Sequence, residues 1–476
     1  MVRVMRDLNG AGVLDLVCAW YVLAAQYMKQ AQNYRDSEQG LTDAPPVPAN
    51  TLGLMAKFIA PLTGSEPGLP RCGFVSTNSV VQGEQVGVLW SYLQSKGVRI
   101  HFAHRSFKWS NEARGIAAVH CVIIGFGLQD KRPKQLFHYE TVTGEPLLTL
   151  VNQINPYLVD APTVLLEKRR TPINQVPAMS KGSQPTDGGY LLLSDLEKEE
   201  LLEQEPEAAI WIRPFLGAEE FINSIQRWCL WLVDCPPQNL RKMPHVMKRV
   251  LAVKEMRLAS PKIPTQVLAN TPALFGENRQ PKTGNYLLVP LHSSENRAFI
   301  PIGFCDAIVI CGNANALVAD ASLYHFGIMT SSMHNAWMRT VCGRLESRYR
   351  YSASIVYNNF PWPAVATNAP KGTLANKLQT AVEQAAQAVL DARALFQQGE
   401  HAASLADLYD PTTMPAPLLR AHQLLDAVVD KAYAQTCGGA SSYKTDADRV
   451  AFLFMLYQRY TSLLSAEGAK ARRNNK

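Results

Sequence analysis

Four arginines, Arg339, Arg344, Arg348 and Arg350, fall within the thirteen residues RTVCGRLESRYRY, interleaved with Tyr349 and Tyr351. A guanidinium is a planar fork of fixed donors that pairs with phosphate oxygens or with the O6/N7 edge of guanine, and a carboxylate accepts from the cytosine amine. Glu346 stands two residues before Arg348, so the pair offers both halves of a reader for one G·C base pair. On a strand the two side chains would point the same way, and on a loop they would splay across one pair. The bland alternative is a surface ion pair worth little. Arg339, Arg344 and Arg350 are candidates for backbone phosphates.

A second cationic stretch, RKMPHVMKRVLAVKEMRLASPK at 241–262, carries Arg241, Lys242, Lys248, Arg249, Lys254 and Arg257 with Val246, Val250, Leu251 and Val253 interspersed. It reads as a helix with a basic face, either solvated or a rail for phosphates to which Arg249 contributes. The net charge of +7 agrees with a polyanionic partner without proving one. The nine cysteines form no Cys-X-X-Cys pair and lie mostly in apolar segments, so buried free thiols in a reducing cytoplasm are expected, with no metal site and no disulfide framework. No apolar run approaches the ~20 residues of a membrane span, and MVRVMRDLNG lacks the apolar core of a signal peptide. His292, Ser293, Ser294, Glu295 and Arg297 cluster without the pattern of a hydrolytic triad.

The elements that hold these residues follow from punctuation and periodicity. With 476 residues and a hydrophobic share of 47%, the chain has room for two or three cores. Leu14, Val17, Leu23, Ala24 and Tyr27 suggest an opening helix over roughly 12–30, followed by a polar, proline-rich loop at 33–52. Residues 73–79 read as a strand ending in Thr-Asn-Ser. Val86, Leu89, Trp90 and Leu93 mark a helix, and Val98–Ala103 and Val119–Phe126 are two further strands. A strand that ends in a polar turn and leads to a helix is the unit of a doubly wound sheet, whose ligands lie beyond the strands' carboxyl ends. That puts Asn78, Ser79 and Gln82 near a possible site. After Phe126, GLQDKRPKQ reads as leaving this core. Residues 150–365 mix short strands, turns and helices. Beyond Pro363, helical spacing in Leu378–Phe396, Asp407–Pro411, Leu418–Tyr433 and Asp446–Leu464 indicates a helical bundle with a basic tail, KARRNNK, that is either solvated or in phosphate contact.

Several segments together carry a resemblance. They are GAGVLDLVCAWYVLAAQYM at 10–28, the three-strand run 73–126, KGSQPTDGGYLLL at 181–193, IRPFLG and RWCLWL at 212–217 and 227–232, and the long block 284–363 with LYHFGIMTSSMHNAWMRTVCGRLESRYRYS and IVYNNFPWP. This pattern resembles the MmeI-like class of S-adenosylmethionine-dependent DNA adenine methyltransferases, many of which are fused to a restriction nuclease. The implied architecture is α/β. A partial doubly wound, Rossmann-like methyltransferase sheet (1–150) precedes a mixed α/β target-recognition domain (151–365) and a C-terminal helical bundle (366–476). The resemblance implies that Glu346 and Arg348 read a base pair beside the methylated adenine, Glu346 on cytosine and Arg348 on guanine. Phe107 and Trp109, in RSFKWSNEARG, become candidates for stacking on an adenine flipped out of the duplex, with Asn111, Glu112 and Arg114 lining the same pocket or closing a turn. Core packing is the competing explanation for both aromatics.

What the class carries ahead of this region is not found in the sequence: a glycine-rich loop, an acidic residue ending the second strand, and an Asn- or Asp-Pro-Pro-aromatic tetrapeptide. Gly125-Phe126-Gly127 ends a strand but leads to no helix. Pro45-Pro46 sits in a loop-like stretch, and Pro236-Pro237 lacks both flanking residues. Methyl transfer needs the sulfonium held in line with the amine, and positioning supplies much of the acceleration. No residue of this chain is therefore assigned a catalytic role. The class uses S-adenosylmethionine, but its binding by this chain alone is not expected. The partners expected are double-stranded DNA and an N-terminal methyltransferase or nuclease subunit, in the cytoplasm. A stand-alone DNA-binding specificity protein, or an inactive relic with an exposed half-sheet edge, is the alternative.

Overall fold

The computed structural model describes residues 4–6, 8–38, 69–109, 119–139, 141, 144–365 and 369–474. They form two compact units, the first built from residues 1–169, 340–347 and 447–476 and the second from 170–339 and 348–446.

The first unit centres on five strands, β1 (Arg71–Thr77), β2 (Arg99–Trp109), β3 (Val119–Gly127), β4 (Lys134–Tyr139) and β5 (Pro146–Val151), in the order β1-β3-β2-β4-β5. β3 runs antiparallel to both of its neighbours, so β1 and β2 are parallel to one another, and β2 is parallel to β4. The crossover between β1 and β2 is α2 (Glu84–Ser95), which buries Val86, Leu89, Trp90 and Leu93 at the helical spacing read from the sequence. β2 runs past the expected Ala103 to Trp109, because register shifts between Ile100 and Phe102 and between His104 and Phe107 absorb its broken alternation. GLQDKRPKQ does not leave this core. It turns the chain into β4, which joins the same sheet; the apolar signal was short because only Lys134 and Leu136, in its first half, are buried.

α1 (Cys18–Glu38) is preceded by a 3-10 turn at Ala11–Val13. The helix starts later than expected because Gly10 takes a φ of +84° and Gly12 follows it, and it runs later because its last turns are polar and carry no apolar period. Its buried face is Cys18, Tyr21, Val22, Ala25 and Met28. Tyr21 stacks on Phe126 at 5.4 Å, meets Phe74 edge-on at 5.1 Å and bonds Ser76 through its hydroxyl at 2.8 Å. Leu23, expected inside, is exposed together with Leu16 and Trp20. A helix that is apolar all round does not declare which face is the core.

The second unit holds two four-stranded sheets. One is β12 (Gly303–Asp306), β10 (Asn285–Pro290), β14 (Asn315–Ala319) and β6 (Met179–Lys181), in that order. The other is β13 (Ile310–Cys311), β8 (Ile212–Leu216), β9 (Trp228–Leu230) and β7 (Leu192–Leu193). α3 (Pro244–Leu258) lays Val246, Val250 and Val253 on the second sheet with Leu193, Phe215 and Leu230. α4 (Leu323–Thr330) packs on α6 (Leu374–Ala394), which also packs on α7 (Ala416–Cys437). Gly327 permits this approach, since a Cβ there would meet Val382 at 2.8 Å. α5 (Ser332–Val341) follows α4 directly. The last helix, α8 (Asp446–Asn474), belongs to the first unit beyond its first residue, where Phe454 meets Tyr157 at 5.1 Å.

The fold class is thus α/β with a helical C-terminal region. Six of the nine cysteines are buried and none is joined to another in a disulfide. Burial raises the thiols of Cys229 and Cys311 and pushes Cys18 up to about 12, away from reactivity. Among the described residues, no helix is long and apolar enough to cross a membrane.

Candidate nucleic-acid interface

The carboxyl end of β1 passes into a 3-10 turn, Asn78–Val81, and then Gly83. Asn78 is buried and donates from Nδ2 to Ser106 Oγ on β2 at 3.4 Å. Gln82 is buried beside it, and its Oε1 has no hydrogen-bond partner. Gly83 has φ +63°, and a Cβ there would lie 3.0 Å from the Cα of Gly343. Its amide donates to Val341 O at 3.1 Å. Two glycines therefore let the segment 340–347 press against the turn where polar side chains gather at the end of the sheet.

Across that end lies a row of rings. His104 stacks on Phe137 at 4.1 Å with the planes 5° apart, and its Nδ1 meets the Tyr139 hydroxyl at 2.9 Å. Phe107 stacks on Tyr139 at 5.2 Å and tilts toward Trp109 at 6.2 Å. His104 and Phe107 are an odd number of residues apart and would sit on opposite faces of a regular strand. The register shift between them brings both to one face. Trp109, 44% exposed, ends the row. Burial holds the His104 imidazole below its ordinary pKa, so the row is neutral and apolar in character. Such a shelf can stack a planar base. Phe107 and Trp109 are on β2 itself, not in the connection where the sequence placed them, and Asn111, Glu112 and Arg114 lie outside the described residues. Sequence reasoning missed His104, Phe137 and Tyr139. The i, i+2 pair Phe137/Tyr139 was the available signal, lost once this stretch was read as leaving the core.

The arginine segment is built differently along its length. α5 is capped by Asp426 of α7, whose carboxylate accepts from the amide and hydroxyl of Ser332, both at 2.6 Å. The helix buries His334 and Trp337, the indole donating to Val356 O at 3.1 Å. Arg339 donates to Ala298 O at 2.7 Å and pairs with Asp446 at 2.6 Å. The chain then passes β15 (Gly343–Leu345), where Arg344 donates to Ser347 O at 2.7 Å. β16 (Arg348–Arg350) pairs with β11 (His292–Ser293), setting His292 opposite Arg350. Burial, then Arg350 and Arg348, hold His292 below its ordinary pKa. Arg348 and Arg350 are exposed, whereas Tyr349 and Tyr351 are buried, the Tyr351 hydroxyl bonded to His334 Nε2 at 2.9 Å. The two tyrosines interleaved with the arginines in sequence are therefore core and do not share their exposed face.

Glu346 is exposed and takes φ +57°. The left-handed region costs a residue with a Cβ roughly 1–2 kcal/mol, and glycine or asparagine is the usual occupant. Arg348 begins the next strand, so the two side chains leave a turn and a strand start rather than one regular strand.

The basic helix is only partly a basic face. Arg257 is completely buried and donates five hydrogen bonds to the carbonyls of Pro185, Thr186, Leu268, Thr271 and Leu274, at 2.8–3.0 Å. This corrects its assignment to a surface rail. An arginine on the inward side of a helix can be kept there when carbonyls satisfy its fork. Arg249 is half-buried, paired with Glu197 at 2.9 Å and donating to Tyr190 O at 3.2 Å. Lys248 and Lys254 remain exposed.

Gly125-Phe126-Gly127 lies in β3 between two neighbouring strands, and the Phe102 ring fills the space a Cβ on Gly125 would need. Pro236 instead caps the short helix Pro237–Arg241, and Pro45-Pro46 lies outside the described residues. Among the described residues no three metal-ligating side chains cluster.

Family models described as MmeI target recognition domain, MmeI DNA-methyltransferase domain and MmeI C-terminal domain match residues 160–364, 58–138 and 374–465. DNA methyltransferase A of Bacillus subtilis (strain 168) is 39% identical over 393 residues, which are 82% of this chain and 42% of that protein. A solved structure of the type IIL restriction-modification enzyme MmeI in complex with DNA matches with a TM-score of 0.78 and 45% identity, covering 97% of this chain and 54% of the other. The chain spans about half the length of these relatives.

Proposed function

Because the chain belongs to the MmeI-like family, we propose that it supplies DNA target recognition and part of the catalytic sheet of a site-specific DNA adenine methyltransferase of a restriction-modification system. The observation that carries this reading is the approach of Gly83 to Gly343, which ties the segment bearing Arg344 and Glu346 to the turn at the carboxyl end of β1. A reader anchored at the end of the sheet where ligands bind is what recognition beside a modified base requires. The strained backbone of Glu346 supports its use, since a turn selected for comfort alone would carry glycine. The Phe107–Trp109 shelf, extended by Tyr139, Phe137 and His104, would receive the extruded adenine. Arg350, exposed beside Arg348, is the best-placed phosphate contact. Arg339, Arg344 and Arg249 reach DNA only if they share or give up internal partners.

S-adenosylmethionine would be the methyl donor of the complete enzyme. The described residues do not fit it: the one Gly-X-Gly on a strand is filled by Phe102. Methyl transfer then requires a partner carrying the cofactor loop and the catalytic tetrapeptide, in the cytoplasm where host DNA is modified. Two features support such a partner. Trp20 and Leu23 on α1, with Leu16 in the turn before it, form an exposed apolar stripe, with Trp20 61% exposed, and β1 pairs only with β3 among the described residues.

The test is transfer from labelled S-adenosylmethionine to a mixed duplex library, with this chain alone and with the N-terminal half of a family member added. Transfer only with the added half is expected. Transfer by the chain alone would overturn the assignment of the cofactor to a partner. Retention of duplex without transfer in either case would leave a specificity protein.

A further inference from the structure

The opposite end of the sheet carries a feature that target recognition does not use. β1, β2 and β4 are mutually parallel, and each begins on a cation: Arg71, Arg99 and Lys134. β2 is eleven residues long, so Arg99 and Trp109 stand roughly 30 Å apart along it. A cavity of about 230 Å³ opens at the cationic end, lined by Arg99, Arg132 and Lys134 against a single carboxylate, Asp130. Lys134 is buried, and its Nζ donates to Ile100 O and to Asp130 Oδ1, both at 2.6 Å. Asp130 also accepts from Arg132 Nε at 3.2 Å, so one carboxylate is shared by two cations. The Arg99 side chain has no ion-pair or hydrogen-bond partner among the described residues, its backbone being paired in the β2–β3 ladder. The rest of the polar lining is neutral: Gln94, Gln153 and Thr163. The local potential is positive enough to act on its neighbour: burial first, then Lys134, Arg71 and Lys131, hold the His101 imidazole below its ordinary range.

A half-enclosed cavity with three cations, one shared carboxylate and neutral hydrogen-bonding side chains selects a compact anion. Guanidinium forks set around a buried ammonium match a tetrahedral oxyanion. We propose that this cavity binds a phosphate group, at a site separate from the target-recognition surface, with Arg99 and Arg132 as its adjustable ligands and Lys134 as its fixed charge. The group belongs either to a free phosphorylated small molecule or to the backbone of a DNA segment running past this end of the sheet.

Titration calorimetry of the full chain with inorganic phosphate, a 5′-mononucleotide and a short duplex tests this, repeated on Arg99→Ala and Arg132→Ala. Both side chains are exposed, so thermal unfolding should match the parent. Removing one charge-assisted contact should weaken phosphate binding roughly tenfold. Binding of phosphate and mononucleotide, lost in the variants, identifies a small-molecule source. Binding of duplex alone, with a shallower salt dependence in the variants, identifies a backbone phosphate. If no phosphate-bearing ligand binds, or if both variants bind all three as the parent does, the proposal fails.

Discussion

The two units place their exposed apolar side chains differently. The second seals Trp337, Trp362, Tyr286 and Tyr357 inside and buries even a guanidinium, Arg257, within a cage of carbonyls. Its exposed apolar side chains, among them Leu196, Ile210, Ile263 and Leu395, lie on several separate elements, whereas the first unit gathers Trp20 and Leu23 on α1, with Leu16 just before it, and Leu147, Leu148 and Leu150 on the edge strand β5. A sheet with apolar side chains on its outer strands and a helix apolar on two faces has surface still to be covered.

The contrast can be broken at Arg257. Replacement by alanine orphans five buried carbonyls and should destabilise the second unit by on the order of 4 kcal/mol, measured as the urea midpoint of its transition. A loss under about 1 kcal/mol would mean that water reaches those carbonyls and the unit is not sealed.

Acid should separate the units next. Burial holds His334 at about 3 and His325 at about 4, and His422 is depressed as well, all in the second unit. These groups stay neutral when folded but take a proton near 6.5 when unfolded. Their contribution is fully present above that value and is lost as pH falls toward the folded pKa, by roughly 1.4 kcal/mol per pH unit for each histidine. Denaturant midpoints followed from pH 7 to 4 should fall more steeply for the second unit than for the first. Equal slopes would show that these imidazoles are solvated.

Smaller effects sharpen the account. Glu346→Gly relieves a left-handed backbone and should stabilise by about 1 kcal/mol while removing discrimination at one base pair, read by thermal melting and by duplex selection. Unchanged discrimination would reduce Glu346 to a turn residue. Trp20→Arg should change the stability of this chain by less than about 0.5 kcal/mol, yet abolish its association with an added N-terminal half. A large loss of stability in the isolated chain would place Trp20 in a core instead.

Much of this was legible in the sequence. The α2 spacing, the strands that precede and follow it, and the polar turn at Asn78 were readable because each signal is local and repeats with the period of its element. The position of β3 between β1 and β2 was not, since strand order depends on pairing across the chain. The shelf was half seen: Phe107 and Trp109 stood out, but His104 reaches their face only through a bulge that has no sequence mark. Arg257 looked like its cationic neighbours because burial of a charge depends on carbonyls contributed from residues 185–186 and 268–274. Which of the interleaved residues face water was not legible for the related reason that alternation along β16 and on to Tyr351 puts arginine outward and tyrosine inward.

Whether Glu346 and Arg348 read a base pair is decided by a duplex-library selection on this chain alone, comparing the parent with the double variant Glu346→Arg, Arg348→Glu. Both proteins are expected to retain DNA, with the preferred base pair changing from C·G to G·C at a single position. Identical preferences in the two proteins, or retention without any sequence preference, would contradict the assignment of this pair as a base reader.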